Sequence, residues 1–240
     1  MIFYDIYYYL LGIILLPGII MSIWAQAKVS NDFNKYNDLP SSNGLPANQL
    51  ARKLLDGAGL TNIKVTSCKG SLTDHYNPKT ETVALSEAVY DKSSISALGV
   101  MAHELGHVLQ YKDKYFLIRL KSFLVPVINI FNFFMWPLVI VGIIIEAVSY
   151  TKIGFVFIII GICIFALSTL LSLITLPIEL NASKRAYTLL VKTGILTEDE
   201  GEGVKKVLNS AALTYLAGLI TSILSLLRFV IYILAITRKD

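Results

Sequence analysis

Residues 100–110 read "VMAHELGHVLQ". His103 and His107 lie four positions apart, and on a helix positions i and i+4 share one face. Their imidazoles can then close on one metal ion, while Glu104, one step round the helix, reaches a water beside it. With only three histidines in the chain, the pattern H-E-x-x-H arises by chance in about one such sequence in a thousand. The stretch is therefore read as two metal ligands and a base rather than as histidines packed in a core. Catalytic zinc keeps three protein ligands and one open position, so a third His, Glu or Asp is required.

Around this stretch the chain is membrane-like. Of its 240 residues, 55% are hydrophobic and 16% charged, with a mean hydropathy of +0.62, too apolar for an ordinary soluble domain. The apolar residues gather in Leu10 to Trp24, Phe123 to Val148, Ile153 to Leu176 and Ala211 to Ile236, each near the roughly 20 residues a membrane-crossing helix needs. Tyr4, Tyr7, Tyr8 and Tyr9 precede the first run and suit headgroup depth. No Lys or Arg precedes Lys28 and no small-residue cleavage pattern follows, so an uncleaved anchor is expected rather than a signal peptide.

Twelve Lys and Arg lie between Trp24 and Ser122, only Lys152 between the second and third runs, and five between Pro177 and Ser210. The positive-inside rule then places the N-terminus outside and both basic segments in the cytoplasm of a multi-pass cell-membrane protein. Arg238 and Lys239 fall on the other side if the last run crosses fully, so a re-entrant or surface-lying last segment is the alternative. The net charge of +4 follows this topology and implies no nucleic-acid partner. Cys68 and Cys163, one in a hydrophilic segment and one within an apolar run, imply neither a disulfide framework nor a cysteine metal site.

The segments expected are a transmembrane anchor over 1–27, a cytoplasmic domain over 28–122, two transmembrane helices over 123–176, cytoplasmic helices over 177–210, and a transmembrane or re-entrant helix with a tail over 211–240. Within the first cytoplasmic segment, Lys28 to Pro46 reads as a linker or a frayed extension of the first helix. Pro46 suits the first turn of a short surface helix ending near Asp56. "NIKVTSC" and "ETVALS" read as strands, with turn chemistry at Asn77-Pro78 between them. The histidine helix follows from about Ser94 to Tyr111, capped by Ser93 or Ser94. Beyond the third run, helical character from Pro177 to Lys192 either continues the membrane helix or restarts at the proline. Glu198, Asp199, Glu200 and Glu202 sit at a further helix start, where carboxylates favour the dipole.

Two residues can supply the third ligand. His75 lies on the turn before the second strand. Glu179 follows the third apolar run, and two crossings return the chain to the face that carries His103 and His107.

The stretches "NGLPANQLARKLLDGAGL", "LTDHYNPKTETVALSEAVYDKSSISALGVMAHELGHVLQ", "LVPVINI" and "LPIELNASKRA", in that order, resemble the bacterial membrane zinc metallopeptidase family typified by YugP. More distantly they resemble the HtpX and CAAX-protease type of membrane gluzincin. The resemblance covers most of the chain. It implies an α-helical membrane protein of about four transmembrane helices with a small α+β zincin-like cytoplasmic domain. It also implies one zinc ion per chain, with the third ligand at the Glu of the "LPxE" segment, here Glu179. Two positions depart from the family pattern: Asn181 stands where an acid is usual, and Pro46 replaces a hydroxyl residue.

The activity expected is hydrolysis of peptide bonds in membrane or membrane-proximal proteins, with Glu104 as base. An extended substrate is expected to add as a strand beside Thr82 to Ser86. His75 then either donates a hydrogen bond to the developing oxyanion or fixes the turn beside Asp74, with Tyr76 and Tyr111 as weaker oxyanion donors. Asn129, Asn132, Glu146 and Arg228 are the polar positions of the apolar runs, read as structural. A non-catalytic membrane scaffold tied by zinc is the competing class, and Glu104 discriminates against it, because a structural site has no use for a base. A transporter is disfavoured by the lack of repeat symmetry.

Overall fold

The computed structural model describes residues 11–149 and 152–237. Tyr4, Tyr7, Tyr8, Tyr9, Arg238 and Lys239 lie outside the described residues, as do the side chains of Glu146 and Lys152. The elements in order are a short 3-10 turn at Ile13–Leu15, then α1 (Leu16–Asn37), α2 (Ala47–Gly57), β1 (Lys64–Cys68), β2 (His75–Asn77), β3 (Thr82–Ser86), α3 (Ile95–Lys112), α4 (Phe116–Ser149), α5 (Lys152–Val191) and α6 (Glu198–Thr237). Four helices are long and apolar enough to cross a membrane: Ile13–Asn37, Phe116–Ile145, Ile153–Val191 and Glu198–Ile231.

The chain divides into two compact units. One comprises residues 1–24, 119–176 and 215–240 and is built from the apolar helix segments. Its large side chains, such as Phe133, Ile144, Ile153 and Leu234, are largely exposed, as hydrocarbon-facing side chains are. The other comprises residues 25–118 and 177–214. Its core joins Phe33, Tyr36, Leu50, Leu85, Leu98, Met101, Leu190 and Val204.

Several segments run longer than their sequence signals. The first helix continues to Asn37, so of the two readings of Lys28 to Pro46 the extension of the first helix holds as far as that residue. The third does not restart at Pro177 but passes through it to Val191. A proline within a helix forfeits one backbone hydrogen bond, and here that loss leaves the helix unbroken. Pro46 is the N-cap of α2 and offers no side-chain cap. The first N–H groups of that helix instead bind backbone carbonyls, Ala47 N to Lys92 O at 2.8 Å and Asn48 N to Tyr90 O at 3.0 Å. Ser94 is the N-cap of α3, its hydroxyl accepting from Ala97 N at 3.2 Å.

The sheet overturns one expectation. A three-residue strand, His75–Asn77, occupies what reads as turn sequence, and the order is β1-β3-β2. β3 pairs in parallel with β1 from Lys64↔Thr82 to Cys68↔Ser86, and antiparallel with β2 from His75↔Ala84 to Asn77↔Thr82. Thr82 to Ser86 is thus the central strand, and no substrate can pair beside it over Thr82 to Ala84, where both its edges are taken. The turn signal itself is real: Asn77 Oδ1 accepts from Lys79 N at 3.0 Å and turns the chain straight into β3.

Helix α3 ends in a Schellman arrangement, with Tyr115 N bonded to Gln110 O at 2.9 Å and Lys114 N to Tyr111 O at 3.1 Å. This places Lys114 at φ 53°, a left-handed position held by a residue with a Cβ. Lys114→Gly is expected to raise the thermal unfolding midpoint of the detergent-solubilised chain by relieving about 1 kcal/mol of strain, and Lys114→Val to lower it. A glycine variant that unfolds earlier would contradict this account of the helix end.

Candidate metal centre

His103, Glu104 and His107 sit on α3, whose core-facing residues Leu98, Met101, Ala102 and Leu105 are buried. Glu179 sits on α5 next to Ile178 and Ala182, both fully buried. The two helix segments approach closely because Gly106 has no side chain. A Cβ there would lie 2.5 Å from the carbonyl oxygen of Ala182.

That approach brings three ligand-type atoms together. His103 Nε2 and His107 Nε2 each lie 3.3 Å from Glu179 Oε2, and one ligand-type atom from each residue falls within 4.8 Å of the others. Zinc bonds of about 2.0–2.1 Å in a tetrahedron set neighbouring donors roughly 3.3 Å apart, so the carboxylate-to-imidazole spacing fits that ion. The donor set, two neutral nitrogens and one carboxylate oxygen, also suits it. Both histidine side chains are 15% exposed, and Glu179 5%. The pocket is therefore largely withdrawn from water but still reachable.

The far ring nitrogens are held. His107 Nδ1 lies 3.0 Å from Gln110 Oε1, and His103 Nδ1 lies 3.2 Å from Ser183 Oγ. Gln110 is fully buried; its Nε2 donates to Ile178 O at 2.8 Å and to Asn181 Oδ1 at 3.0 Å. Asn181 Oδ1 thus does the accepting that a carboxylate would do at that position. The i, i+3 spacing of His107 and Gln110 was a sequence signal for this pairing; nothing local pointed to Ser183 or Arg185.

Glu104 is buried at 7% exposure. Burial pushes its carboxyl up; the imidazoles of His103 and His107 pull it back in part, and Asp74 and Glu179 add repulsion. Burial disfavours a charged His107, but the Glu179 carboxylate, Glu104 and Gln110 together outweigh it, and the imidazole is held above its ordinary value. Asp74, just before β2, is also raised by burial, against hydrogen bonds from Ser86 that lower it. Ser86 N and Oγ donate to its two oxygens at 2.7 and 2.8 Å, which ties the end of β2 to β3 beyond their last backbone pair.

His75 is not part of the cluster. It is exposed, and its Nδ1 lies 2.9 Å from the carbonyl oxygen of Thr73. That oxygen can only accept, so the neutral ring carries its proton on Nδ1 and presents an acceptor at Nε2. An oxyanion needs a donor. The geometry favours the turn-fixing reading. Tyr76, the next residue along β2, stacks edge-on against Tyr111 of α3 with ring centroids 5.6 Å apart.

Comparison with known proteins agrees with this chemistry. Residues 11–234 match the family described as "Putative neutral zinc metallopeptidase". The chain is 42% identical over 214 residues, 89% of its length and 92% of the relative's, to the protein named "Putative membrane protease YugP" of Bacillus subtilis (strain 168). No solved structure matches the chain.

Gly106→Ala is expected to force the helices apart, lowering stability by about 1–3 kcal/mol and weakening zinc binding, as read by thermal unfolding and metal titration. Gly57→Ala, where a Cβ meets nothing within 4 Å, is the neutral control. A protonated His107 has no lone pair to give. Because its pKa is raised, zinc affinity is expected to fall on acidification from a pH above the usual histidine range; a pH-independent affinity between pH 8 and 6 would refute this.

Proposed function

Because the chain belongs to the family described as "Putative neutral zinc metallopeptidase", we propose that it is a membrane-bound, zinc-dependent endopeptidase. The observation that carries the reading is the convergence of His103, His107 and Glu179 on the helix that also holds buried Glu104. These three are the proposed ligands of one zinc ion per chain, the ligand set of a gluzincin in a zincin-like domain. The substrates proposed are membrane proteins, or segments emerging from the bilayer, met at the cytoplasmic face. The basic bias of residues 24–122 and 177–210 supports that orientation, as does the position of Glu179 just after the apolar run ending at Leu176.

Zinc, when bound, lowers the pKa of water toward neutrality and polarises a carbonyl. Glu104 takes the proton from the attacking water and passes it to the leaving nitrogen. A carboxylate whose pKa is raised by burial is a better proton acceptor than an exposed one. Gln110 and Ser183 hold the far sides of the imidazoles, so both Nε2 atoms stay turned toward Glu179. Asp74 anchors β2 through Ser86. The outer side of β2 pairs with no other described strand, and it is the edge along which an extended peptide is proposed to add. His75 is assigned to the turn before that edge.

In the purified chain, Glu104→Gln is expected to retain zinc and to lose cleavage of casein or a membrane peptide by on the order of 10²–10⁴-fold. Glu179→Ala should lose both metal and activity, and His75→Ala should keep the metal. Unchanged turnover in Glu104→Gln would remove the proposed base, and full zinc occupancy in Glu179→Ala would remove the proposed ligand.

A further inference from the structure

We propose that Asn181 and Arg185 are positioning residues for His107, acting through Gln110 to fix which ring nitrogen faces the cluster. The inference rests on the metal site proposed above.

The direction of each hydrogen bond follows from chemistry. A guanidinium has donors only. Arg185 Nε lies 2.9 Å from Asn181 Oδ1, and its terminal nitrogen pairs with the carboxylate of Asp113. Turning the Asn181 amide over would set donor against donor, so its oxygen must face Arg185. Gln110 Nε2 meets that same oxygen at 3.0 Å and the Ile178 carbonyl at 2.8 Å. Both are acceptors, so Gln110 must present its NH2 to α5, which leaves Oε1 as the atom 3.0 Å from His107 Nδ1. An amide oxygen only accepts. The neutral His107 ring therefore carries its proton on Nδ1 and keeps the lone pair on Nε2, the atom 3.3 Å from Glu179 Oε2.

His103 lacks this polarity. Its Nδ1 faces the Ser183 hydroxyl, which serves as donor or acceptor, so Ser183 accommodates either ring tautomer while the Arg185 chain permits one. The spacing makes the chain a zipper. His107, Gln110 and Asp113 follow at intervals of three along and just past α3; Gln110 holds His107 on its own helix and reaches Ile178 and Asn181 of α5, and Asp113 pairs with Arg185. An amide at position 181 serves because its oxygen receives both Gln110 and Arg185.

The test is zinc affinity of the full detergent-solubilised chain, measured by competition with a chromophoric chelator. Asn181→Leu removes the shared acceptor and is expected to weaken zinc binding about 10–100-fold. Asn181→Asp restores an acceptor for both donors and should bind as the wild type does. Arg185 is partly exposed at 26%, so Arg185→Leu is a second variant expected to fold, with a loss of about 10-fold. Nitrogen-15 labelling of the three histidines gives a readout that simple loosening of the helix pair would not produce. The His107 signal should show the Nδ1-protonated form in the wild type and Asn181→Asp, and a mixture in Asn181→Leu and Arg185→Leu. Wild-type affinity in Asn181→Leu, or equal weakening in the leucine and aspartate variants, would overturn the relay. A wild-type chain that binds no zinc would instead overturn the metal site itself, and the relay with it.

Discussion

The structure turns on the contact of Gly106 with the backbone of Ala182. Two helix segments can bring short side chains such as Glu179 within bonding distance of histidines only if their backbones nearly touch, and a Cβ at residue 106 would lie 2.5 Å from the Ala182 oxygen. Backbone contact alone is weak and permits sliding. What sets the register is the buried amide of Gln110, which reaches across to Ile178 and Asn181. A buried amide left without partners costs more than its hydrogen bonds contribute when made, so the pair tolerates one alignment and resists the others. In that alignment His103, His107 and Glu179 meet.

The catalytic reading therefore depends on long-range geometry built from locally plain elements. α3 is an ordinary capped helix, closed by Ser94 at one end and by a Schellman turn at the other. α5 is a 40-residue helix whose continuity through Pro177 keeps Ile178, Glu179, Asn181, Ala182 and Ser183 at fixed angular spacing. The sheet adds rigidity on one flank: Asp74 reaches beyond the last backbone pair of β2 to hold the Ser86 backbone and hydroxyl. An edge strand only three residues long is thereby pinned at both ends, by Asp74 on one side and the Asn77 turn on the other.

Much of this was legible in the sequence, for identifiable reasons. The four apolar runs announce themselves by composition. The helix carrying His103 and His107 shows both its cap and its ligand spacing. The residues alone leave His75 and Glu179 both open as the third ligand; it is the "LPxE" segment of the resemblance that implies Glu179, the residue found beside the two histidines. β2 was hidden: three residues are too few for an alternating pattern, and Asn77-Pro78 carries a true turn signal that masks the strand before it. Missing β2 made β3 look like a free edge. At Lys28 to Asn37 and at Pro177 the polar or proline-bearing sequence leaves a continued helix and a break both open, and packing of Phe33, Tyr36, Ala186 and Leu190 into the core accompanies the continued helix. Local propensity does not see such contacts.

Glu104 and His107 titrate under the same two influences, burial and neighbouring charge. Asp74, Glu104 and Glu179 place three carboxyls around two imidazoles in a region largely closed to water. Without a counter-charge, the ways to relieve that burial are to protonate the acids and to charge the imidazoles. Burial raises Asp74 and Glu104, and the neighbouring carboxylates with Gln110 raise His107 against its own burial. A divalent cation relieves the same imbalance by a different route, taking the lone pairs of two neutral imidazoles and the charge of one carboxylate, and displacing the protons that otherwise gather there. Glu104 lies outside the proposed ligand set, and a divalent charge beside it would favour its carboxylate, the form in which it can act as a base.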